Sequence, residues 1–357
     1  MTSARLDLPA VPGILTAAEV AATAETIAAV QLASGLILWF PGGHGDPWNH
    51  VEAAVALAVA GRRAEAEAAY DWLARTQRRD GAWHHYYVAD GGSGGERVEA
   101  EELDANVCAY VATGVWHHFL LTGDTGFLEA LWPVVDAAVD FVLGLQTRRG
   151  EVLWARHADG TPWPYALLTG SSSICHSLAC ALAIAGRLGH DRRRWERGRA
   201  RLVRTVVTVP DAFAPKDRWA MDWYYPVLAG VVGGDAGRLP LAEGWDRFVL
   251  PGGGTRCVHD RPWVTAAETS ECALAHLAVG DEHRARLLLA WAQDLRAGDG
   301  SSFPGVVLPE GVHFPGEERS TYSAAVMILA ADGLSRTTPA SGLFLPSTLL
   351  APRARAF

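Results

Sequence analysis

The sequence of 357 residues lacks the features that mark several classes of protein. His117 and His118 interrupt its longest apolar stretch, so no run of about 18 apolar residues is available for a membrane-spanning helix. Its formal net charge is −9, whereas a nucleic-acid-binding surface needs clustered cations. Residues 1–15 contain no charged stretch followed by an apolar core, so no secretory signal is expected. We therefore expect neither a nucleic-acid partner nor a membrane partner.

Cysteine is scarce and odd in number, and four of the five residues lie in apolar helical stretches. The five are Cys108, Cys175, Cys180, Cys257 and Cys272. Buried free thiols suit a reducing compartment, which predicts a cytoplasmic protein. No CxxC pair accompanies them, so we expect no metal and no cofactor. Cys175 and His176 resemble the Cys-His pair of lanthionine-cyclase-like toroids, and a zinc site there stays open as the alternative.

Six stretches of small and apolar residues alternate with six charged, amphipathic stretches. The apolar stretches are 48–60, 104–122, 171–188, 222–232, 266–279 and 320–332, followed by Gly61, Gly123, Gly189, Gly233, Gly280 and Gly333. The amphipathic stretches are 16–31, 62–77, 127–146, 192–208, 240–249 and 282–296. A glycine just past a helix end commonly takes the left-handed conformation, so each apolar stretch is predicted to be a helix that closes there.

Apolar helices are buried and amphipathic helices lie at the surface, so this alternation predicts two layers. We expect an all-α fold, an (α/α)6 barrel or toroid of six inner and six outer helices. Residues 1–15 would form an N-terminal segment, 16–336 a single catalytic domain and 337–357 an irregular, loosely attached C-terminal tail. The loops before the inner helices would surround a central cavity, and the protein would be a monomer or a homodimer.

A second repeat occurs near the ends of several outer helices, where a glutamine is followed by a glycine turn and an aromatic residue. It spans 31–39, 76–83, 145–154 and 293–303. Squalene-type cyclases and prenyltransferases repeat this pattern, and the likeness is one of architecture. The glycine permits the chain reversal and the aromatic packs under the next helix. The repeat therefore predicts stacked helical hairpins.

The segment WFPGGHGDPWNH leads directly into the first inner helix. Asp46 precedes Pro47, so it occupies an N-cap position and has a structural explanation. Polar and aromatic residues surround it: His44, Trp48, Asn49 and His50. Aromatic faces that pack on pyranose rings, beside polar groups that bind hydroxyls, are typical of a sugar-binding site. Asp46 is therefore a candidate for proton transfer as well as a helix cap.

The segment RPWVTAAETSE opens the fifth inner helix and supplies two more carboxyl groups. Glu268 and Glu271 lie one turn apart, and either can stabilise a helix start through the helix dipole. Arg261 and Trp263 precede them as a charged and aromatic rim. Two carboxyls across a cleft are what glycoside hydrolysis requires, one as general acid and the other to activate water.

The remaining inner-helix starts are also polar or aromatic, although each residue singly is often a helix cap. The candidate substrate-binding residues there are Asp104, Asn106, Ser171, Ser172, Asp222, Tyr224, Tyr225, Glu318 and Tyr322. A terpene-type cyclase or prenyltransferase needs an Asp-rich motif such as DxDD, and EELDAN does not supply one. A non-hydrolytic carbohydrate-active or glycan-binding toroid stays open as an alternative.

Several segments of the sequence resemble an actinobacterial family often labelled prenyltransferase-like. They are WFPGGHGDPWNH, RPWVTAAET, LTGSSSICHSL, MDWYYPVL and STYSAAVMILAADGLS. It contains the methylmannose polysaccharide hydrolases, α-1,4-endomannanases of mycobacteria, and the resemblance spans about residues 8–345. It implies an inverting endo-α-mannosidase that acts on a partly O-methylated mannose polysaccharide. By this resemblance, the catalytic carboxyls of the family correspond to Asp46 as the acid and Glu268 as the base. Glu271 is the second-ranked candidate for the role of Glu268. EELDAN departs from the expected DTN-like string, which makes Asp104 and Asn106 the weakest assignments.

Overall fold

The structure is a computed structural model that describes residues 7–91 and 95–345, and the structural statements below refer to these residues. The helices are α1 (Ala17–Ala28), α2 (Pro47–Val59), α3 (Arg63–Thr76), α4 (Ala105–Ala109), α5 (Val111–Thr122), α6 (Thr125–Gly144), α7 (Leu168–Leu188), α8 (Arg193–Thr208), α9 (Ala220–Leu228), α10 (Gly234–Phe248), α11 (Ala266–Ala278), α12 (Glu282–Ala292) and α13 (Thr321–Ser335). Two short 3-10 helices cover Pro210–Ala212 and Gln293–Leu295.

The helices form two layers, as their composition predicts. The inner layer consists of α2, α4 with α5, α7, α9, α11 and α13; each packs against the next, and α13 packs against both α11 and α2. The outer layer consists of α1, α3, α6, α8, α10 and α12, which pack on α13, α2, α5, α7, α9 and α11 respectively. Every residue of α2 is buried, whereas α3 buries one face only. The predicted all-α class and the division into inner and outer helices are thus present.

The glycine that follows each apolar stretch marks the end of the inner helix in four of the six cases. Positive φ angles of 68° to 79° follow α2, α5, α7 and α11, at Gly61, Gly123, Gly189 and Gly280. Gly233 instead precedes α10 in an extended conformation, since α9 ends earlier than predicted and α10 begins earlier. α13 runs through Gly333, where a Cβ would lie 3.1 Å from the side chains of Leu274 and Leu277. Glycine there allows close packing of α13 on α11.

The glutamine repeat ties neighbouring hairpins together. The amide nitrogen of Gln31 donates to the carbonyl oxygens of Gly35 and Glu65, each at 2.9 Å. The same pair of bonds recurs at two more outer helices, from Gln77 to Gly81 and Val134, and from Gln146 to Gly150 and Gly198. Each amide therefore fixes its own turn and holds the next outer helix, which confirms the structural interpretation of these three turns.

Short strands line the loops at the pole where the inner helices begin, and the sequence did not predict them. They are β1 (His44–Gly45), β2 (Tyr86–Ala89), β3 (Glu96–Ala100), β4 (Leu103–Asp104), β5 (Ala155–Arg156), β6 (Val249–Leu250), β7 (Gly254–Thr255), β8 (Trp263–Thr265), β9 (Gly305–Val307) and β10 (Val312–Phe314). Antiparallel sheets form in the orders β1-β2-β3 and β10-β9-β8, with pairs β4-β5 and β6-β7. These sheets hold the loops that precede α2, α4, α11 and α13.

The described parts of both predicted terminal segments pack against the helices. Val11 and Leu15 are buried, and so is Leu343. The ring of Phe344 stacks on His176 of α7 at 5.1 Å. The rest of the predicted terminal segments, 1–6 and 346–357, lies outside the described residues.

One inner helix, α7, is long and apolar enough by length and composition to cross a membrane. Most of it is buried inside the protein, where it packs against α5, α8 and α9. The core helices of globular proteins have the same length and composition, and the burial of α7 is that of a core helix.

Candidate active site

The first turns of the inner helices meet at one pole and carry most of the predicted site residues. Asp46 is the N-cap of α2, Asp104 the N-cap of α4, and Ser320 the N-cap of α13. Glu268 lies in the first turn of α11, and Asp222 in the first turn of α9. Cβ atoms point toward the N-terminus of a helix, so side chains in these turns lean into the space at this pole.

Asp46 is buried and accepts hydrogen bonds at both carboxylate oxygens. Oδ1 accepts from the backbone N–H groups of Trp48 (2.8 Å) and Asn49 (3.0 Å). Oδ2 accepts from the Trp39 indole and from the Asn49 side-chain amide, each at 2.5 Å. These four N–H donors hold the carboxyl group in one orientation. Asp46 is therefore a rigidly held carboxylate, and its capping role is fully formed.

Glu271 lies on the inner face of α11 and binds three tyrosines from neighbouring inner helices. Its carboxylate accepts from Tyr224, from Tyr225 (3.0 Å) and from Tyr322 (2.6 Å). Burial raises the pKa of Glu271 to about 8, although the tyrosine hydrogen bonds act in the opposite direction. The structure therefore brings Glu271, Tyr224, Tyr225 and Tyr322 together, as their place at the inner-helix starts predicts.

A second buried acid, Glu52, was not predicted. It lies on α2 and accepts a hydrogen bond of 2.5 Å from the hydroxyl of Tyr110. Burial raises its pKa to about 7. Its signal in the sequence is an acidic residue inside the otherwise apolar stretch VEAAVALAV, because a charged side chain is rarely buried without a role or a partner.

Trp48 connects the two buried acids. Its ring stacks on Tyr110 at 4.5 Å and contacts Tyr322 edge-on at 5.2 Å. Tyr110 binds Glu52 and Tyr322 binds Glu271. We call this group of Glu52, Tyr110, Trp48, Tyr322, Glu271, Tyr224 and Tyr225 the central cluster. It joins five inner helices through ring contacts and hydrogen bonds to carboxylates.

Glu268 differs from Glu271 in its surroundings. It is half-buried, and none of the tyrosines that bind Glu271 donates to it within the described chain. Burial raises the pKa of Glu268 above its usual range. Its charge acts on Tyr224, Tyr225 and Tyr322, which places it beside the central cluster. Glu268 is thus the more available of the two glutamates.

Several predicted residues in the first turns present polar atoms without a hydrogen-bond partner among the described residues. These atoms are Trp48 Nε1, Asn49 Oδ1, Asn106 Oδ1 and Ser171 Oγ. Buried polar atoms in folded proteins almost always have a partner, which includes water or a ligand. Such atoms around a carboxyl-lined space suit a ligand rich in hydroxyl groups.

Asp104 is a helix cap with a second contact. Its Oδ1 accepts from the backbone of Asn106 (2.8 Å) and Val107 (3.1 Å), while Oδ2 lies 3.9 Å from His85 Nδ1. Burial raises its pKa.

Three predicted substrate-binding residues either lie away from the central cluster or use their polar atoms in hydrogen bonds within the protein. His50 is fully buried; its Nδ1 accepts from the backbone of Ile37 and its Nε2 lies 2.9 Å from the carbonyl oxygen of Ala69, so no ring nitrogen is left for a ligand. The hydroxyl of Ser172 donates to the carbonyl of Leu168 within α7. Asp222 lines a cleft on the outer side of α9, together with Trp223 of the same helix.

Other predicted residues lie at the outer edge of the same pole. Arg261 is exposed, Trp263 is 39% exposed and Glu318 is half-buried. His44 lies in β1, where its ring packs on Tyr86 at 4.3 Å and its Nδ1 lies 3.8 Å from Glu99.

An aromatic group at this edge was also not predicted. Tyr86 contacts His85 at 4.2 Å, and His85 contacts Trp154, which stacks on Tyr165 at 5.6 Å. Trp163 packs edge-on against Trp154. These rings come from loops between helices, where the sequence offers no periodic pattern that would place them together.

The described residues contain no group of three or more His, Cys, Asp or Glu side chains placed to hold a metal ion. All five cysteines are free and buried. Burial lowers the pKa of His176 to about 3, and its neighbour Cys175 is fully buried in α7. The alternative zinc site at Cys175 and His176 thus gains no further ligand from the described chain.

The chain is 50% identical over 337 residues to the MMP endo-(1,4)-3-O-methyl-alpha-D-mannosidase of Mycolicibacterium hassiacum. That match covers 94% of this chain and 92% of the other protein. No protein-family model matches the chain.

Among solved structures, a wild-type glycosidase is similar with a TM-score of 0.71 at 17% identity, covering 92% of this chain and 98% of that one. A GH63 mannosylglycerate hydrolase from Thermus thermophilus is similar with a TM-score of 0.64 at 14% identity, covering 87% and 99%. A D-mannose isomerase is similar with a TM-score of 0.63 at 12% identity, covering 88% and 96%. At these low identities, the likeness shows a shared fold.

Proposed function

This chain belongs to the methylmannose polysaccharide hydrolase family and is a glycoside hydrolase, and we propose that it cleaves internal α-1,4 bonds of a partly O-methylated mannose polysaccharide. The observation that carries the proposal is the placement of Asp46 and Glu268 in the first turns of α2 and α11, with α13 packed against both helices. Two carboxyls at the starts of inner helices that share a neighbour can provide the proton donor and the base that glycoside hydrolysis needs.

The surroundings of these carboxyls favour the opposite division of roles from the one that the resemblance implies. A general acid must hold a proton before reaction, and the raised pKa of Glu268 supports this state. Asp46 accepts four N–H groups that fix the orientation of its carboxyl group, and the base on water is the role that remains for it. We therefore assign Glu268 as acid and Asp46 as base, with Glu271 as a positioning residue.

The central cluster would form the floor of the substrate site. Trp48 and Tyr322 offer aromatic faces to sugar rings, and Asn49, Asn106 and Ser171 offer polar atoms to hydroxyls. The inner helices then form a closed (α/α)6 barrel around this site. The five buried free thiols support a reducing, cytoplasmic location.

Reducing-sugar release from 3-O-methylated α-1,4-manno-oligosaccharides tests this function. We expect internal cleavage of these chains and no product from an α-1,4-glucan of matched length. The Glu268→Gln variant serves as the inactive control. Cleavage of the glucan at an equal rate, or no cleavage of either chain, would contradict the proposed substrate.

A further inference from the structure

A cleft of about 770 Å³ lies on the outer side of α9, between the 209–219 loop and the C-terminal half of α10. Phe213, Trp223 and Phe248 line it; Phe213 and Phe248 are buried beneath its surface, and Trp223 is half-buried. The rings of Trp223 and Phe248 stack at 5.1 Å, and the Trp223 indole donates to the carbonyl of Pro240 at 2.8 Å. These contacts fix the walls, so the cleft is a formed surface.

Asp222 supplies a carboxylate to this cleft. Its Oδ1 accepts from the backbone N–H (3.2 Å) and the hydroxyl (2.6 Å) of Thr169. Its Oδ2 makes no hydrogen bond with the described chain, and the side chain is half-buried in the cleft lining. Tyr224, two residues later, points to Glu271 on the inner side of α9. The cleft is therefore separate from the central cluster, and one helix forms the wall between them.

Charged side chains of both signs line the cleft, the cations Lys216 and Arg247 and the carboxylates Asp211, Asp217, Asp222 and Glu243. Lys216 lines it, is exposed and is the only lysine in the sequence. Arg247 is held by the carbonyl oxygen (2.9 Å) and the carboxylate (3.1 Å) of Asp217. Aromatic walls with a few charged groups that can bind hydroxyls are typical of a carbohydrate site. The apolar walls also suit methyl ethers, which replace a hydroxyl with apolar surface.

We propose that this cleft is a second saccharide site that binds a 3-O-methylated mannose segment away from the bond being cleaved. The proposal rests on the proposed function, because it takes the substrate class from it. The cleft borders the first turns of α7 and α9, whose inner sides carry Ser171 and Tyr224 of the candidate active site. A polysaccharide held at both places gains an effective concentration at the active site, which a short chain cannot gain.

Chemical labelling of Lys216 tests occupancy of the cleft directly. The Glu268→Gln variant, which leaves the polysaccharide intact, is treated with an amine-acetylating ester, and mass spectrometry measures acetylation of the Lys216 peptide. A 3-O-methylated α-1,4-mannan should protect Lys216, whereas a short manno-oligosaccharide of the same linkage should not. A lysine-containing reference peptide added to the reaction provides the internal standard. Equal acetylation with and without saturating polysaccharide would overturn the proposal.

A cleft-filling variant tests the consequence for catalysis. Ala214 lines the cleft and is half-buried, so Ala214→Trp places a large ring in it; Ala236→Trp, at an exposed position of α10 outside the cleft, is the matched control. We expect Ala214→Trp to raise KM for the polysaccharide by on the order of tenfold and to leave kcat unchanged. For the short oligosaccharide, kcat/KM should equal that of the wild type.

The two proposals fail in distinguishable ways. If the wild type cleaves the short oligosaccharide and Ala214→Trp leaves the KM for polysaccharide unchanged, the second site is refuted and the proposed function stands. If the wild type cleaves neither chain, the proposed function fails, and Lys216 protection still reports on the cleft because labelling requires no cleavage. Circular dichroism and the melting temperature of Ala214→Trp establish that the variant folds; Lys216→Ala, at an exposed position, provides a second variant with the same expected rise in KM.

Discussion

The hydroxyl of Tyr322 donates a hydrogen bond of 2.6 Å to Oε1 of Glu271, and this bond joins α13 to α11 beneath the candidate active site. Tyr225 donates to the same oxygen from α9 at 3.0 Å. One carboxyl group thus gathers three inner helices. Because Glu271 binds tyrosines of two neighbouring helices, we assign it to positioning, whereas Glu268 makes none of these tyrosine bonds and is assigned to proton transfer at the substrate.

The first prediction concerns the two proposed catalytic carboxyls. Asp46→Asn and Glu268→Gln should each fold and lose activity on the polysaccharide by on the order of a thousandfold, because each removes one proton-transfer role. Asparagine is as good an N-cap as aspartate, so the start of α2 should persist in Asp46→Asn. Steady-state kinetics and circular dichroism measure both effects. Near-normal turnover in either variant would remove that residue from the mechanism.

A second prediction separates the acid from the base. A substrate with an activated leaving group, such as a nitrophenyl α-mannoside, needs no proton donor for bond cleavage. The Glu268→Gln variant should therefore keep a much larger share of its activity on this substrate than on the polysaccharide, and Asp46→Asn should not. If Asp46→Asn is the variant that recovers, the roles are those implied by the family resemblance. Recovery in Glu271→Gln alone would transfer the acid role to Glu271.

A third prediction follows from the pKa of about 8 at Glu271, compared with an ordinary value of 4.5. Between these two pH values the folded protein keeps the proton on Glu271, whereas the unfolded chain releases it. The contribution of protonated Glu271 to the free energy of unfolding is therefore complete below about pH 4.5 and is lost as the pH rises through about 8. Glu271→Gln cannot ionise and should lack this loss. Urea unfolding at about pH 5 and about pH 9 measures the difference.

The control for this experiment is Glu310→Gln, at an exposed turn between β9 and β10. It should follow the wild-type pH dependence. The prediction is refuted if the difference in unfolding free energy between wild type and Glu271→Gln is the same at both pH values. Activity should also change as the pH rises through about 8, because ionised Glu271 would accept stronger hydrogen bonds from the tyrosine hydroxyls and alter the floor of the site.

The sequence was sufficient to predict the helices because their signals are local. Apolar runs, charged faces and glycine ends depend on residues close in the chain, and they place α2, α5, α7 and α11 well. They misplace the boundary between α9 and α10, where Pro240 lies inside a helix. They also fail at Gly333, because its role is to admit the side chains of Leu274 and Leu277 from α11. A contact between residues so far apart in the sequence cannot be predicted from local sequence patterns.

The candidate site was predicted in part for the same reason. Asp46, Glu268 and Tyr322 stand at helix starts, where polar residues are conspicuous in the sequence. Glu52 lies inside a buried helix, and only its hydrogen bond with Tyr110, 58 residues away, explains it. Asp222 lies at a helix start, as the sequence predicts. The side of α9 on which it lies depends on the rotation of that helix about its axis, and the hydrogen bond between Tyr224 and Glu271 fixes this rotation.

A fourth prediction concerns metals. The cysteine and histidine spacings provide no ligand set, and the described residues contain no group of three suitable side chains. Activity should therefore survive prolonged treatment with EDTA, and elemental analysis of the purified protein should find no stoichiometric zinc. Inactivation by the chelator that zinc restores, together with its loss in Cys175→Ala, would establish the alternative site at Cys175 and His176.

The last prediction concerns the stereochemistry of cleavage. Inversion requires room for a water molecule between the two carboxyls, about 6.5–9.5 Å, whereas retention uses a carboxylate nucleophile at about 5–5.5 Å. Asp46 and Glu268 stand at the starts of α2 and α11, and α13 packs against both of these helices. This arrangement favours the larger spacing. An α-linked substrate should therefore release the β-anomer first, which proton NMR detects before mutarotation; an initial α-anomer would instead make one of these carboxylates a nucleophile.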